Sequence, residues 1–221
     1  MLLDLTDDCI AAATGELRDA EDGSRRVRIR VFKSDFVERW LAQAHWVTPI
    51  VWFGPFIVLG IIRGFSQGLG LSGVLGWFLF GLTVWTLSEY LLHRYLFHAE
   101  FPGQAGAIRH FLLHGYHHQF PNDAMRLVAP PIMSWGPAAL YAIVYYLALG
   151  EARFATVLSG TLVGYIAYDW IHYYSHHGRP RGTLGKAVRR YHMLHHFKSP
   201  NAYYGVSSPL WDFVFGTWRA S

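Results

Sequence analysis

Cysteine is almost missing from this chain. Cys9 is the single one in 221 residues, which excludes an internal disulfide framework and any cysteine-based zinc module. Charge is scarce as well, since Asp, Glu, Lys and Arg make up 15% of the chain against about a quarter in an ordinary soluble domain. The opening MLLDLTDDCIAAATGELRDAEDGSRR carries acids where a secretory signal would be basic, and lacks an apolar core followed by a small-residue cleavage site. No solenoid-type period is visible. What the chain has instead is apolar residues at 52%, aromatics at 17% and 13 histidines. All but His45 fall within residues 93–118 and 172–196.

The stretch RRVRIRVFK (25–33) alternates basic and apolar residues. A nucleic-acid surface would need stacking aromatics or a recognisable module beside it; neither is there, and no nucleic-acid partner is expected. A basic segment just ahead of a membrane span reads instead as contacting anionic headgroups. Residues 1–45 are expected to be a cytosolic N-terminal segment, partly disordered to about residue 40, and 46–221 a membrane domain.

Four apolar stretches stand out: WVTPIVWFGPFIVLGII (46–62), LSGVLGWFLFGLTVWTLSEYLL (71–92), IMSWGPAALYAIVYYLAL (132–149) and FATVLSGTLVGYIAYDWIHYY (154–174). Each is long enough to cross a hydrocarbon core of about 30 Å as a helix. The fold class predicted is all-α, an integral membrane protein with four transmembrane helices and a cytosolic histidine-rich helical cap. Of the 19 Lys and Arg, only Arg63 and Arg153 lie in the links between the first and second and the third and fourth stretches. The positive-inside rule therefore puts both termini, 93–127 and 175–221 in the cytosol. Both histidine-rich regions then follow an even-numbered span and emerge on one face, where they can meet. Gly160 and Gly164 form a small-xxx-small pair suited to close helix contact, and LGKAVRRYHMLHHFK (184–198) reads as an amphipathic helix at the membrane surface.

The histidines fall into four clusters: HRYLFH (His93, His98), HGYHH (His114, His117, His118), HYYSH (His172, His176) and HMLHH (His192, His195, His196). Imidazole is the commonest ligand for zinc, copper, iron and nickel. Residues at i, i+3 and i+4 share one helix face, so each triplet can converge on one or two ions, and His172 and His176 supply one face of another helix. His93 and His98 are five apart and cannot share a face of a straight α-helix, so the helix is expected to end or bend between them. Ten imidazoles exceed one coordination sphere, and two ions is the natural count. His45, His110 and His177 are left outside as interfacial, packing and outward-facing residues. Carboxylates are few: Asp169, one turn before His172, and Glu89, one turn before His93, are candidates to accept a ring N–H and fix a tautomer, or to make helix-boundary hydrogen bonds. Tyr173, Tyr203 and Tyr204 are either lipid-binding or interfacial aromatics. Redox work beside lipid calls for an ion that changes valence, which zinc cannot do.

HRYLFH, HFLLHGYHHQFPNDAMRLVAPP, YDWIHYYSHH and YHMLHHFKSPNAYYGVSSPLWDFVFGTW together resemble the membrane fatty acid hydroxylase superfamily, and within it the fatty acid (sphingolipid acyl-chain) 2-hydroxylases. The resemblance covers residues from about 46 to 219. It implies an O2-dependent di-iron monooxygenase that places a hydroxyl at C2 of a long acyl chain, free or in ceramide. It carries the ligand role to His93, His98, His114, His117, His118, His172, His176, His192, His195 and His196. The cofactors implied are two iron ions, for which zinc can substitute in a purified sample, with O2 and an external electron donor. Residues 1–45 resemble no fused haem domain, so the donor is expected to be a separate protein, cytochrome b5-like or ferredoxin-like. A bacterial inner membrane is favoured over the endoplasmic reticulum. The alternatives are a histidine-cluster di-iron sterol oxidase or acyl desaturase and, from a different class, a membrane metal-binding or transport protein.

Overall fold

The computed structural model describes residues 4–19 and 26–219. Over these the chain is all-helical, with one isolated bridge between Leu5 and Phe32. Two short helices, α1 (Asp7–Thr14) and α2 (Asp35–Leu41), lead into two long ones, α3 (Thr48–Ser66) and α4 (Leu71–Leu92). A first π turn (His93–Phe97), α5 (Gly103–His110), a second π turn (Phe111–Gly115) and α6 (Tyr116–Gln119) follow. The chain then runs through α7 (Pro131–Leu149), α8 (Glu151–His177), α9 (Gly182–Phe197) and α10 (Leu210–Val214).

Among the described residues three stretches are long and apolar enough to cross a membrane: Thr48–Ser66, Leu71–Phe97 and Ala124–Leu149. The fourth expected span lies in α8, which at 27 residues is the longest helix but is not among them. The reason is its position. α8 packs against α3, α4 and α7, and much of its surface is buried, including Thr156, Ser159, Thr161, Asp169 and Ser175. Two of its hydroxyls turn to backbone carbonyls of the neighbouring helices: Ser159 Oγ donates to Ile57 O at 3.0 Å and Thr161 Oγ1 to Gly81 O at 3.1 Å. A helix enclosed by its neighbours need not be apolar all round.

Glycine sets how closely α4 and α8 approach. A Cβ on Gly160 would overlap the carbonyl of Phe78, and one on Gly81 the carbonyl of Val157. At Gly164 a Cβ would come within 2.6 Å of the Trp85 ring. The Gly160/Gly164 pair is thus a helix contact, as its spacing predicts. Phe53, Trp85, Leu162 and Tyr165 fill the core beside it. At the end of the bundle away from the histidines, Arg63 pairs with Glu151, so both short links lie together.

Where it is described, the N-terminal segment packs on the histidine-bearing region; residues 1–3 and 20–25 of the stretch expected to be partly disordered lie outside the described residues. Cys9, Ala12, Ile29, Val31 and Phe32 share one apolar cluster with Phe111, Tyr116 and Phe120 of the histidine-bearing region. The alternation in RRVRIRVFK follows in part from this: Ile29, Val31 and Phe32 enter the cluster while Val27 is exposed, and three of its cations meet acids of the same segment. Arg26 pairs with Asp8 at 2.6 Å, Arg30 with Asp35 at 2.6 Å and Lys33 with Asp4 at 3.4 Å; Arg25 lies outside the described residues. The Glu38 carboxylate, buried, accepts from Val31 N and Phe32 N at 3.1 and 2.9 Å and pairs with Arg126.

Replacing Gly160 by leucine forces its side chain into the α4 backbone, which cannot yield as a side chain can. Overpacking of this kind costs at least about 1–3 kcal/mol, and Gly160→Leu is expected to lower the melting temperature of the detergent-solubilised protein or remove its monodisperse gel-filtration peak. Gly76→Leu, where a Cβ meets nothing within 4 Å, is the control that should leave both unchanged.

Candidate metal centre

The structure gathers all ten cluster histidines at one end of the bundle, in two groups. His93, His98, His114, His118 and His195 form the first, and His117, His172, His176, His192 and His196 the second; within each group one nitrogen per ring lies within 4.8 Å of all the others. Both triplets are shared. His114 and His118 turn to the first group while His117 turns to the second; His192 and His196 turn to the second while His195 turns to the first. The groups consequently share a wall, where the His118 and His196 rings stack at 4.3 Å.

His93 and His98 reach the same group because the α-helix ends at Leu92 and the chain does not run straight between them, as their spacing predicts. In an α-helix residues five apart diverge by about 140°. Here the chain forms a π turn, with His98 N donating to His93 O at 3.2 Å, and an i→i+5 bond stacks the fifth residue above the first. The ring centroids lie 5.1 Å apart.

Orientation comes from the chain that follows α9. His93 Nδ1 meets Tyr204 O at 2.6 Å and His195 Nδ1 meets Ala202 O at 2.8 Å. Only a ring N–H can bond a carbonyl, so both rings carry their proton on Nδ1 and present the Nε2 lone pair to the group. Nε2 atoms face Nε2 atoms throughout: His93 and His114 at 3.0 Å, His98 and His195 at 3.0 Å, His117 and His172 at 2.8 Å, His176 and His192 at 2.8 Å. Burial keeps these rings neutral. It holds His98 at about 3 and His195 at about 4, and neighbouring imidazoles reinforce it at His98; His114, His117, His118 and His192 are pushed below the usual histidine range by the same two causes. Converging neutral nitrogens with inward lone pairs fit a transition-metal ion in each group, since imidazole suits zinc, copper, iron and nickel alike.

The two expected carboxylate partners do something else. Glu89 is buried, but its carboxylate accepts from Ser207 N at 2.7 Å and from the Ser207 hydroxyl, while the carbonyl of Tyr204 takes the place it was expected to fill at His93. Asp169 lies beside Tyr165 and Tyr168. Its Oδ2 and the His172 Nδ1 are both buried without a hydrogen-bond partner among the described residues, so the expected bond between the two residues is not formed. His45 is exposed against Trp46 and His177 is exposed against Tyr173. His110 packs with its ring 6.3 Å from that of His98 and belongs to neither group.

Sequence reading missed the strap of residues 202–207 that supplies these carbonyls. Tyr203 and Tyr204 are buried in it rather than interfacial. Tyr203 has φ +61°, a left-handed conformation that is costly for an aromatic residue, and it lies between the two carbonyls that orient His195 and His93. Asp212, fully buried, holds the strap by accepting from Tyr204 N at 2.8 Å, Gly205 N at 2.7 Å and Thr217 Oγ1 at 2.7 Å. The signal available was an Asp in an otherwise apolar stretch close behind the last cluster.

Residues 78–217 match the family model described as fatty acid hydroxylase. The chain belongs to the fatty acid hydroxylase family. Among its relatives, a dihydroceramide fatty acyl 2-hydroxylase of Arabidopsis thaliana is 37% identical over 191 residues, covering 85% of this chain and 79% of that protein. The fatty acid 2-hydroxylase of Homo sapiens is 36% identical and covers 86% of this chain and 56% of that protein. A solved structure of full-length scs7p, in which only the hydroxylase domain is visible, is similar with a TM-score of 0.80 at 32% identity, covering 86% of this chain and 72% of that one. Membership makes the chain one of a family of oxidoreductases and matches the resemblance that the histidine clusters carry in the sequence.

Asp212→Ala in this hydroxylase leaves the buried Tyr204 and Gly205 N–H groups unpaired, each costing about 1–3 kcal/mol, and takes from the Thr217 hydroxyl its carboxylate acceptor. The substitution is expected to lower the melting temperature and the bound metal together, although Asp212 makes no hydrogen bond to a histidine among the described residues. A variant that keeps full metal content would show that the strap does not orient the rings.

Proposed function

We propose that this chain hydroxylates C2 of a long-chain fatty acyl group, free or in a ceramide or other sphingolipid, as an O2-dependent di-iron monooxygenase. The observation that carries the reading is the pair of adjacent five-histidine groups at one end of a bundle of apolar helices. The printed names of the relatives, 2-hydroxylases of fatty acids and dihydroceramide, support the substrate class and position. His93, His98, His114, His118 and His195 would hold one iron, and His117, His172, His176, His192 and His196 the other. Iron bound there would supply the change of valence needed to activate O2. In the net reaction one oxygen atom would be inserted into a C2–H bond and the other reduced to water, with two protons from solvent and two electrons from a separate redox protein, cytochrome b5-like or ferredoxin-like.

The chain's own part is placement and exclusion of water. α3, α4, α7 and α8 form a four-span bundle, with α8 enclosed by the other three, and the histidine-rich cap faces the cytosol together with both termini. Residues 1–45 act as a cytosolic clamp on the cap, and 46–221 form the hydroxylase domain proper. An acyl chain entering from the bilayer meets the metal groups at the polar boundary, and holding its carboxyl or amide end there fixes C2 toward the irons. Tyr204 and Phe97 cover the first group, the Tyr204 ring lying against those of His93, His98 and His195 and the Phe97 ring stacking on His114. A bacterial inner membrane is the favoured location.

The test joins metal and product. Purified protein is expected to hold two iron or zinc ions per chain by elemental analysis; His117→Ala should lose metal and turnover while still inserting in the membrane, and His45→Ala should keep both. Lipid mass spectrometry of cells expressing the chain should find acyl groups one oxygen heavier, with fragmentation placing it at C2. An unsaturated product without 2-hydroxy lipid, or a fully active protein devoid of transition metal, would overturn the proposal.

A further inference from the structure

Residues 210–218 carry more exposed apolar side chains than a segment in water would keep. Leu210, Phe213, Val214 and Phe215 are 52, 56, 60 and 45% exposed, and Trp218 is 41% exposed. Exposure alone assigns no occupant, but two contacts fix the depth of the segment. Trp211 Nε1 donates to Thr86 Oγ1 at 3.1 Å, and the Phe215 ring stacks on that of Tyr90 at 5.1 Å and 14°. Thr86 and Tyr90 belong to Leu71–Phe97, one of the three stretches apolar enough to cross a membrane. Thr86 precedes His93 by seven residues, about 10 Å along the helix axis, on the side away from the metal groups.

We propose that Pro209–Trp218 re-enters the bilayer beside α4 and presents Leu210, Phe213, Val214 and Phe215 to lipid acyl chains. Five helical residues cannot span a membrane, and non-spanning backbone at that depth must have its polar groups satisfied by protein. Four of its N–H groups are so satisfied: Phe213 N donates to Pro209 O at 3.1 Å, Phe215 N to Trp211 O at 2.9 Å, and Thr217 N and Trp218 N to Asp212 O at 2.9 and 3.1 Å. The polar side chains turn inward, with Asp212 buried and Thr217 Oγ1 on Tyr90 OH at 2.9 Å. Gly216, at φ +68°, turns the chain back, and Trp218 and Arg219 then follow in the order of an interfacial anchor. The segment 175–221, placed wholly in the cytosol by its cations, therefore dips into the leaflet at its end.

The inference rests on α4 crossing the membrane, and the experiment tests that reading separately. Val214→Cys and Phe213→Cys are made in the full chain, where Cys9 is buried and so resists labelling. Each is labelled with a nitroxide in phosphatidylcholine vesicles and probed by power saturation with O2 and with a water-soluble nickel chelate. Leu79→Cys on the exposed face of α4 is the lipid reference, and Asp35→Cys the aqueous one. The expected result is an O2-to-nickel accessibility ratio at both sites equal to that at Leu79 and several-fold above that at Asp35. A nickel-dominated signal at Val214 and Phe213 beside an O2-dominated Leu79 would overturn the proposal while leaving α4 in the membrane. Poor access to both reagents would overturn it in favour of a second copy or a protein partner, and a nickel-dominated Leu79 would overturn the membrane reading itself.

Discussion

Ten neutral imidazoles held nitrogen to nitrogen are the constraint around which the rest is built. Facing lone pairs repel, and four separate stretches of chain have to be held against that repulsion before any ion is bound. The chain does so with backbone. Two carbonyls of the 202–207 strap fix the tautomers of His93 and His195, and a π turn aligns His93 with His98. Burial removes the alternative of protonation, since a charged imidazole would need water or a carboxylate that the groups do not offer. The carboxylates nearest in sequence, Glu89 and Asp169, stay off the rings. Any charge needed to balance bound cations must come from ligands other than these two residues.

The helices serve this end. Metal groups shared among the end of α4, the end of α8, α9 and the α5–α6 region demand that α4 and α8 keep one spacing, because His93 rides on one and His172 and His176 on the other. Gly81, Gly160 and Gly164 set it by backbone contact rather than by interdigitated side chains. Backbone contact leaves less room for slippage than long flexible residues would. Two of the polar residues of α8, Ser159 and Thr161, bond across to α3 and α4, and the least apolar of the bundle helices is the most enclosed.

Much of this was legible in the sequence. The all-helical class, the ten clustered histidines, their meeting at one end of the bundle and the glycine pair all follow from periodicity and spacing, and these are local or additive properties. What escaped reading depends on tertiary geometry. The π turn at His93 has no marker in HRYLFH, because an extra residue per turn is chosen by what the two rings must reach. The partners of Glu89 and His93 lie more than 100 residues away in sequence, so a helix-face rule could only offer the neighbour one turn off. The N-terminal clamp was hidden for a related reason: RRVRIRVFK looks like a headgroup-binding stretch until Phe111, Tyr116 and Phe120 supply a cluster for its apolar side chains.

The strap and α10 join these levels. Glu89 and Asp212 grip the same loop from opposite ends, one from α4 through Ser207 and the other from α10 through Tyr204 and Gly205. Between the carbonyls they fix sits Tyr203 in its left-handed conformation, which persists only because the surrounding bonds over-determine it; its N donates to Thr217 O at 3.2 Å and its hydroxyl to Arg219 O at 2.9 Å. A force that shifts α10 relative to α4 is therefore transmitted through Asp212 to the rings of His93 and His195 without passing through the bundle. If α10 lies in the leaflet, lipid packing acts on that lever directly. The first histidine group is then tied mechanically to the leaflet through the strap, whereas the second, held by α6, α8 and α9, has no strap carbonyl on its rings among the described residues.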